Sequence, residues 1–136
     1  MKVKDFDDNI HNWPPKPKNY IVQNNDMRQK SSYHLKCRDL LDEMFPTYTV
    51  MEEVPLAGTR LRADFYIPQL KLVVEVHGEE HYKFNKFFHG SSAGWRKSLI
   101  NDRRKIEWCH MNNIRHVELP YCETVLEWKE RLNERK

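Results

Sequence analysis

The chain lacks any apolar run approaching the roughly 20 residues that a membrane-spanning helix needs, so no membrane segment is expected. Its start, MKVKDFDDNIHNWPP, lacks the apolar stretch of an export signal, so none is expected. Cysteine is scarce: Cys37, Cys109 and Cys122 are scattered, odd in number and free of CxxC spacing. That argues against a zinc knuckle and a disulfide frame, and suits reduced thiols in a cytoplasm. There is no internal repeat and no low-complexity tract. With 136 residues, 32% of them charged and 12% aromatic, the composition is that of one globular domain. The chain is too short for two full domains.

Net charge is also small, at +3, but it is unevenly placed. Between Lys83 and Lys105 there are seven Lys or Arg (Lys83, Lys86, Arg96, Lys97, Arg103, Arg104, Lys105) against one acid, Asp102. A basic block on an otherwise near-neutral chain suits a surface that meets phosphates. A solvated helix face would show the same pattern.

Residues 1–25, with Pro14, Pro15 and Pro17 and no clear period, read as an N-terminal arm, although Trp13, Tyr20 and Ile21 could pack on the rest. Residues 26–136 read as the domain. A helix is expected over 31–45, with Ser31 or Ser32 as its cap and Tyr33, Cys37, Leu40, Leu41 and Met44 on one stripe. Strands are expected at 48–55, 61–68 and 71–78, the third more apolar and so central. A long connection follows over 79–95, then a helix over 96–112 stopped at Asn113, a strand at 114–119 and a helix at 123–133. The order αβββαβα implies an α+β fold: a mixed four-stranded sheet flanked by helices.

A two-residue turn at Gln69-Leu70 would place Asp64 directly opposite Glu75, on the same sheet face. His77 would share that face. Leu61, Ala63, Phe65, Leu72, Val74 and Val76 would fill the other. Opposed carboxylates repel, and a divalent cation between them removes the repulsion. Hard oxygens at this spacing suit Mg²⁺ (or Mn²⁺). Such an ion can stabilise charge on a phosphodiester and activate a water, which His77 could orient or deprotonate. A polar sheet face carrying two acids by chance gives the same pattern, and a one-residue register slip would separate them. Asp102 falls in the stripe of Leu99, Ile106 and Cys109, where an acid needs a partner or a task. A salt bridge to Lys105 would supply the partner.

These residues resemble the PD-(D/E)XK nuclease core. Asp64 and Glu75 stand for its metal-holding acids, and His77 stands where the usual lysine would be. From Arg62 to Tyr121 the chain is similar to the very-short-patch-repair (Vsr-like) and EDxHD homing endonuclease branch, often carried by phages. The matching residues are ADF at 63–65, EVHGEEHY at 75–82, FFHG at 87–90, Trp95, Asp102, Lys105, Trp108-Cys109, Asn112 to Ile114 and LPY at 119–121. The resemblance implies a restriction-endonuclease-like core and a metal-dependent DNA endonuclease, either a homing enzyme or a strand-specific nickase. It implies that Asp64, Glu75, His81 and Asp102 surround the scissile phosphate, with Glu80 nearby. It also implies an acid on the first helix, where this chain offers His34 or, less well placed, Glu43.

Double-stranded DNA is the expected partner. Lys83, Lys86, Phe87, Trp95, Arg96, Lys97, Arg103, Arg104 and Lys105 would bind it, with Phe87 or Trp95 touching bases and Lys97, Arg103 and Arg104 the phosphates. A homodimer would suit a double-strand cut. The expected setting is the cytoplasm of a bacterium or a phage-infected cell. Two other readings stay open: a catalytically inert DNA-binding module on the same fold, and a junction- or RNA-directed nuclease.

Overall fold

The computed structural model describes residues 1–16, 20–21, 31–78 and 92–134. Its centre is a four-stranded sheet: β3 (Met51–Pro55), β4 (Arg62–Ile67), β5 (Leu72–His77) and β6 (Arg115–Pro120), in that spatial order. The first three strands form an antiparallel meander, and β6 adds parallel to β5 after a helical crossover. β5 is therefore central, as its apolar run predicts, and the sheet is mixed.

Two helices cover one face. In α1 (Ser32–Met44) the Ser31 hydroxyl accepts the His34 N–H at 3.1 Å, and His34, Cys37, Leu40 and Leu41 are buried. In α3 (Val125–Asn133) Thr124 and Glu127 form a reciprocal capping box. These helices pack on Phe65, Ile67, Leu72, Val74, Val117 and Leu119, with Trp128 donating its indole N–H to the Pro120 carbonyl at 2.8 Å. The opposite face is covered by α2 (Ser92–Met111) and by a separate hairpin, β1 (Lys2–Lys4) with β2 (Ile10–Asn12). Here the core is Trp13, Met51, Ala63, Tyr66, Val73, Trp108 and Cys109. Leu61 and Ala63 join this second cluster, not the first as expected. Asn113, at φ 57°, ends α2, and Ile114 N–H returns to the Cys109 carbonyl at 2.9 Å.

The expectation that residues 1–25 form an arm is corrected for the part described. Val3 and Trp13 are buried, and Trp13 packs on Tyr66 and Trp108 with ring centroids 4.2 and 5.0 Å apart. The Asn112 side chain bonds to both Lys4 backbone groups, at 2.8 and 3.0 Å, as an adjoining strand would. Gly58 (φ 76°) lies so close to Asp5 that any side chain there would overlap the carboxylate.

The inner stripe of α2 is polar over much of its length. Trp95, Ser98, Asp102 and Lys105 are half-buried toward the sheet, followed by buried Trp108 and Cys109. Leu99, Ile100 and Ile106, expected partly as core, are instead exposed. Among the described residues no helix is long and apolar enough to cross a membrane.

Candidate active site

The β4–β5 register is the expected one, with Phe65 opposite Val74 and Ile67 opposite Leu72. The turn is longer than expected. Pro68–Leu70 form a 3₁₀ turn closed by Lys71 at φ 48°, which keeps the register of a two-residue turn.

Beyond Phe65 and Val74 the pairing of β4 with β5 stops, and the β3–β4 ladder skips the step at Glu53, whose φ is 51°. Asp64 therefore sits where both ladders open. Side chains take over the backbone hydrogen bonds there: Val76 N–H donates to Asp64 Oδ2 at 2.9 Å, and Asp64 N–H donates to Glu75 Oε2 at 3.4 Å. The two carboxyl groups lie within hydrogen-bonding reach of each other. Glu75 is 1% exposed. Burial, and next the Asp64 charge, push its carboxyl well above the usual range, so the pair tends to retain a proton.

Lys105 of α2 points into this gap, with Nζ 3.4 Å from Glu75 Oε1. That oxygen accepts no hydrogen bond among the described residues. Burial alone would lower the Lys105 pKa, but Glu75, Asp64 and Asp102 together raise it, so the ammonium stays charged. Lys105 thus belongs with the acids. Lys105, expected among the DNA-binding residues, has its charge turned inward toward these acids. Asp102, one turn earlier on the same stripe, acts electrostatically on both Lys105 and His116.

His77 shares the Glu75 face of β5 and is buried, with Nδ1 3.0 Å from Glu118 Oε1. Glu118 lies beside Glu75 in the parallel β5–β6 register, and His116 lies beside Val73. Burial, then His77, lowers the His116 pKa to about 4, so it is neutral at pH 7. Sequence reasoning missed His116 and Glu118. Their signal was the alternation His-Val-Glu-Leu at 116–119, which turns two polar residues toward the face of Glu75.

On the α1 side of the sheet, Glu52 of β3 is buried between His34 and Arg38. Its Oε1 lies 2.5 Å from His34 Nε2, and Arg38 binds it through Nε at 2.7 Å and Nη2 at 3.0 Å. His34 also stacks on Phe65. An acid does stand beside His34, but β3 supplies it. Glu43 is exposed and pairs with Lys129 at 3.1 Å. Cys37 and Cys109 flank the acids as free thiols. Burial raises both pKa values, with Asp64 adding at Cys37 and Glu75 adding at Cys109, which is pushed up to about 12. Neither is a poised nucleophile.

Of the expected nucleic-acid contacts, Arg96, Lys97 and Arg103 are exposed on α2 and Trp95 is half-buried. Arg104 sits over the Phe6 ring, 4.9 Å from its centroid. His81, Lys83, Lys86 and Phe87, together with Glu80, lie outside the described residues.

The donor set is two hard carboxylates, Asp64 and Glu75, one of them with a buried oxygen that accepts no hydrogen bond. It is compatible with Mg²⁺ or Mn²⁺, which take one or two protein carboxylates and keep several waters. Among the described residues no group of three or more His, Cys, Asp or Glu is arranged to hold a metal ion.

No protein-family model matches the chain, and no solved structure matches it. It is similar to viral proteins. Over 67 residues it is 36% identical to "Uncharacterized protein 033L" of Invertebrate iridescent virus 3, covering 49% of this chain and 34% of that protein. Over 61 residues it is 41% identical to "Uncharacterized protein 307L" of Invertebrate iridescent virus 6, covering 45% and 31%. Over 68 residues it is 34% identical to "Uncharacterized protein 094L" of Frog virus 3 (isolate Goorha), covering 49% and 44%. The chain spans less than half the length of these relatives.

Proposed function

We propose that the chain is a metal-dependent DNA endonuclease with a PD-(D/E)XK, restriction-endonuclease-like core of the Vsr-like branch, acting in the cytoplasm of a virus-infected cell. The observation that carries this reading is the fully buried Glu75 beside half-buried Asp64 at a break in the sheet, with Lys105 next to them. Burying two acids together is costly unless a cation or a proton joins them.

Asp64 and Glu75 would hold Mg²⁺ or Mn²⁺. Bound there, the ion supplies charge stabilisation at the phosphate and lowers the pKa of a water. The chain's own groups do the rest. The Val76 N–H fixes Asp64, and the Asp64 N–H fixes Glu75. Glu118 holds His77 through Nδ1 and so orients its ring on the Glu75 face of β5. Arg96, Lys97 and Arg103 offer phosphate contacts on the exposed side of α2.

An inert DNA-binding module on the same fold has one observation in its favour, the lack of a third metal-ligand side chain among the described residues. Plasmid cleavage separates the two readings. With Mg²⁺ or Mn²⁺ the wild type should nick or linearise plasmid, and Glu75→Ala should bind DNA without cutting. Wild-type protein that binds DNA tightly yet cuts with no divalent ion would favour the inert module.

A further inference from the structure

We propose that Lys105 is an exchangeable internal cation: it neutralises the acid pair in metal-free protein and moves off Glu75 when a divalent ion enters. This rests on the metal-dependent reading of Asp64 and Glu75. Three observations support it. The Lys105 ammonium faces the buried Glu75 Oε1, but at 3.4 Å it exceeds the roughly 2.7–2.9 Å of a strong charge-assisted hydrogen bond. It neutralises the oxygen without locking onto it. The Lys105 side chain is 18% exposed, so its flexible stem has a route outward. Asp102, one turn earlier on the same inner stripe, is a second carboxylate whose charge favours the Lys105 ammonium.

The exchange follows from distance. An ion bound to Glu75 Oε1 would sit about 2.1 Å from that oxygen, and so within about 5.5 Å of an ammonium left in place. Two cations that close in a largely dry site repel, so binding of the ion weakens the hold of Glu75 on the ammonium. Lys105 therefore lets Glu75 be buried beside Asp64 without metal, at the cost of metal affinity. This also accounts for the polar inner stripe of α2.

The test is Mn²⁺ titration calorimetry without DNA on wild type, Lys105→Met and Lys105→Arg, with circular dichroism to establish folding. Lys105→Met should bind Mn²⁺ about tenfold or more tighter than wild type, because the competing charge is gone. Its metal-free Tm should be lower and should recover with Mn²⁺. Lys105→Arg, which keeps the charge, should stay near wild type. Independently of any variant, Mg²⁺ should shift the Lys105 side-chain NMR signal of the wild type. Equal or weaker Mn²⁺ binding by Lys105→Met, or a Lys105 signal unmoved at saturating Mg²⁺, overturns the exchange alone. If neither wild type nor Lys105→Met binds Mn²⁺, the metal-dependent reading falls and takes the exchange with it.

Discussion

The His34 imidazole and the Glu52 carboxylate meet at 2.5 Å beneath the Phe65 ring, tying α1 to β3. With the Arg38 fork on the same carboxylate, this is a buried charge cluster separate from that of Glu75. Removing it with Glu52→Ala strips both bases of a buried partner and should cost about 3–5 kcal/mol of stability. Urea unfolding measures this, and a loss under about 1 kcal/mol would contradict it. Burial raises the Glu52 pKa, but the His34 and Arg38 bonds outweigh it and the net shift is downward. A depressed carboxyl stabilises above its unfolded value, near 4.5, and that part is lost as pH falls below it. Glu52→Gln should flatten this acid limb.

His116 acts in a different window. Its pKa falls from 6.5 to about 4 on folding, so the unfolded chain binds the extra proton first. Stability from this group is present above pH 6.5 and is lost as pH drops toward 4, by at most about 3 kcal/mol. Melting curves between pH 7 and 4 should show the loss, and His116→Gln should reduce it.

Glu75 has the opposite sign. Its folded pKa is raised, so its contribution is complete below pH 4.5 and is lost as pH rises through the folded value. Metal-free protein should therefore lose stability from this group toward neutral pH, and Mn²⁺ should restore it. A Glu75→Gln variant whose pH dependence matches that of wild type would contradict the raised pKa.

The N-terminal hairpin should prove part of the core. Trp13→Ala removes a buried indole that bonds the Pro55 carbonyl at 2.8 Å and packs on Tyr66 and Trp108, so about 3–5 kcal/mol should be lost. A thermal melt like that of wild type would show the segment to be dispensable.

On α2, Lys97→Ala and Arg103→Ala should each weaken DNA binding across sequences and lower the salt slope by about 1. Arg104→Ala should do less, since its guanidinium is engaged over Phe6. Anisotropy titrations at several salt concentrations measure this. A change in sequence preference without a change in slope would contradict phosphate contact.

Much of this was legible in the sequence because it is local. The alternation in LRADFYIP and the turn after Ile67 set the register that brings Asp64 to Glu75, and Ser31 and Asn113 mark helix ends. Other features were hidden. Glu52 and Arg38 look like ordinary surface residues, and only packing of α1 on β3 buries Glu52 against Arg38 and His34. The skip in the β3–β4 ladder at Asp64 coincides with Glu53 taking a left-handed conformation that its side chain does not announce. Leu99 and Ile106 looked like core because helical periodicity cannot tell which face meets the sheet. Here the polar gap at Glu75 draws Lys105 and Asp102 inward. Strands of three residues, as in the N-terminal hairpin, are too short to show a period.

The most direct test of the central claim is anomalous scattering from crystals soaked in saturating Mn²⁺. A manganese peak is expected between the carboxylates of Asp64 and Glu75, absent in Glu75→Gln crystals. Wild-type crystals with no peak there, and the two carboxyls still sharing a proton, would contradict it.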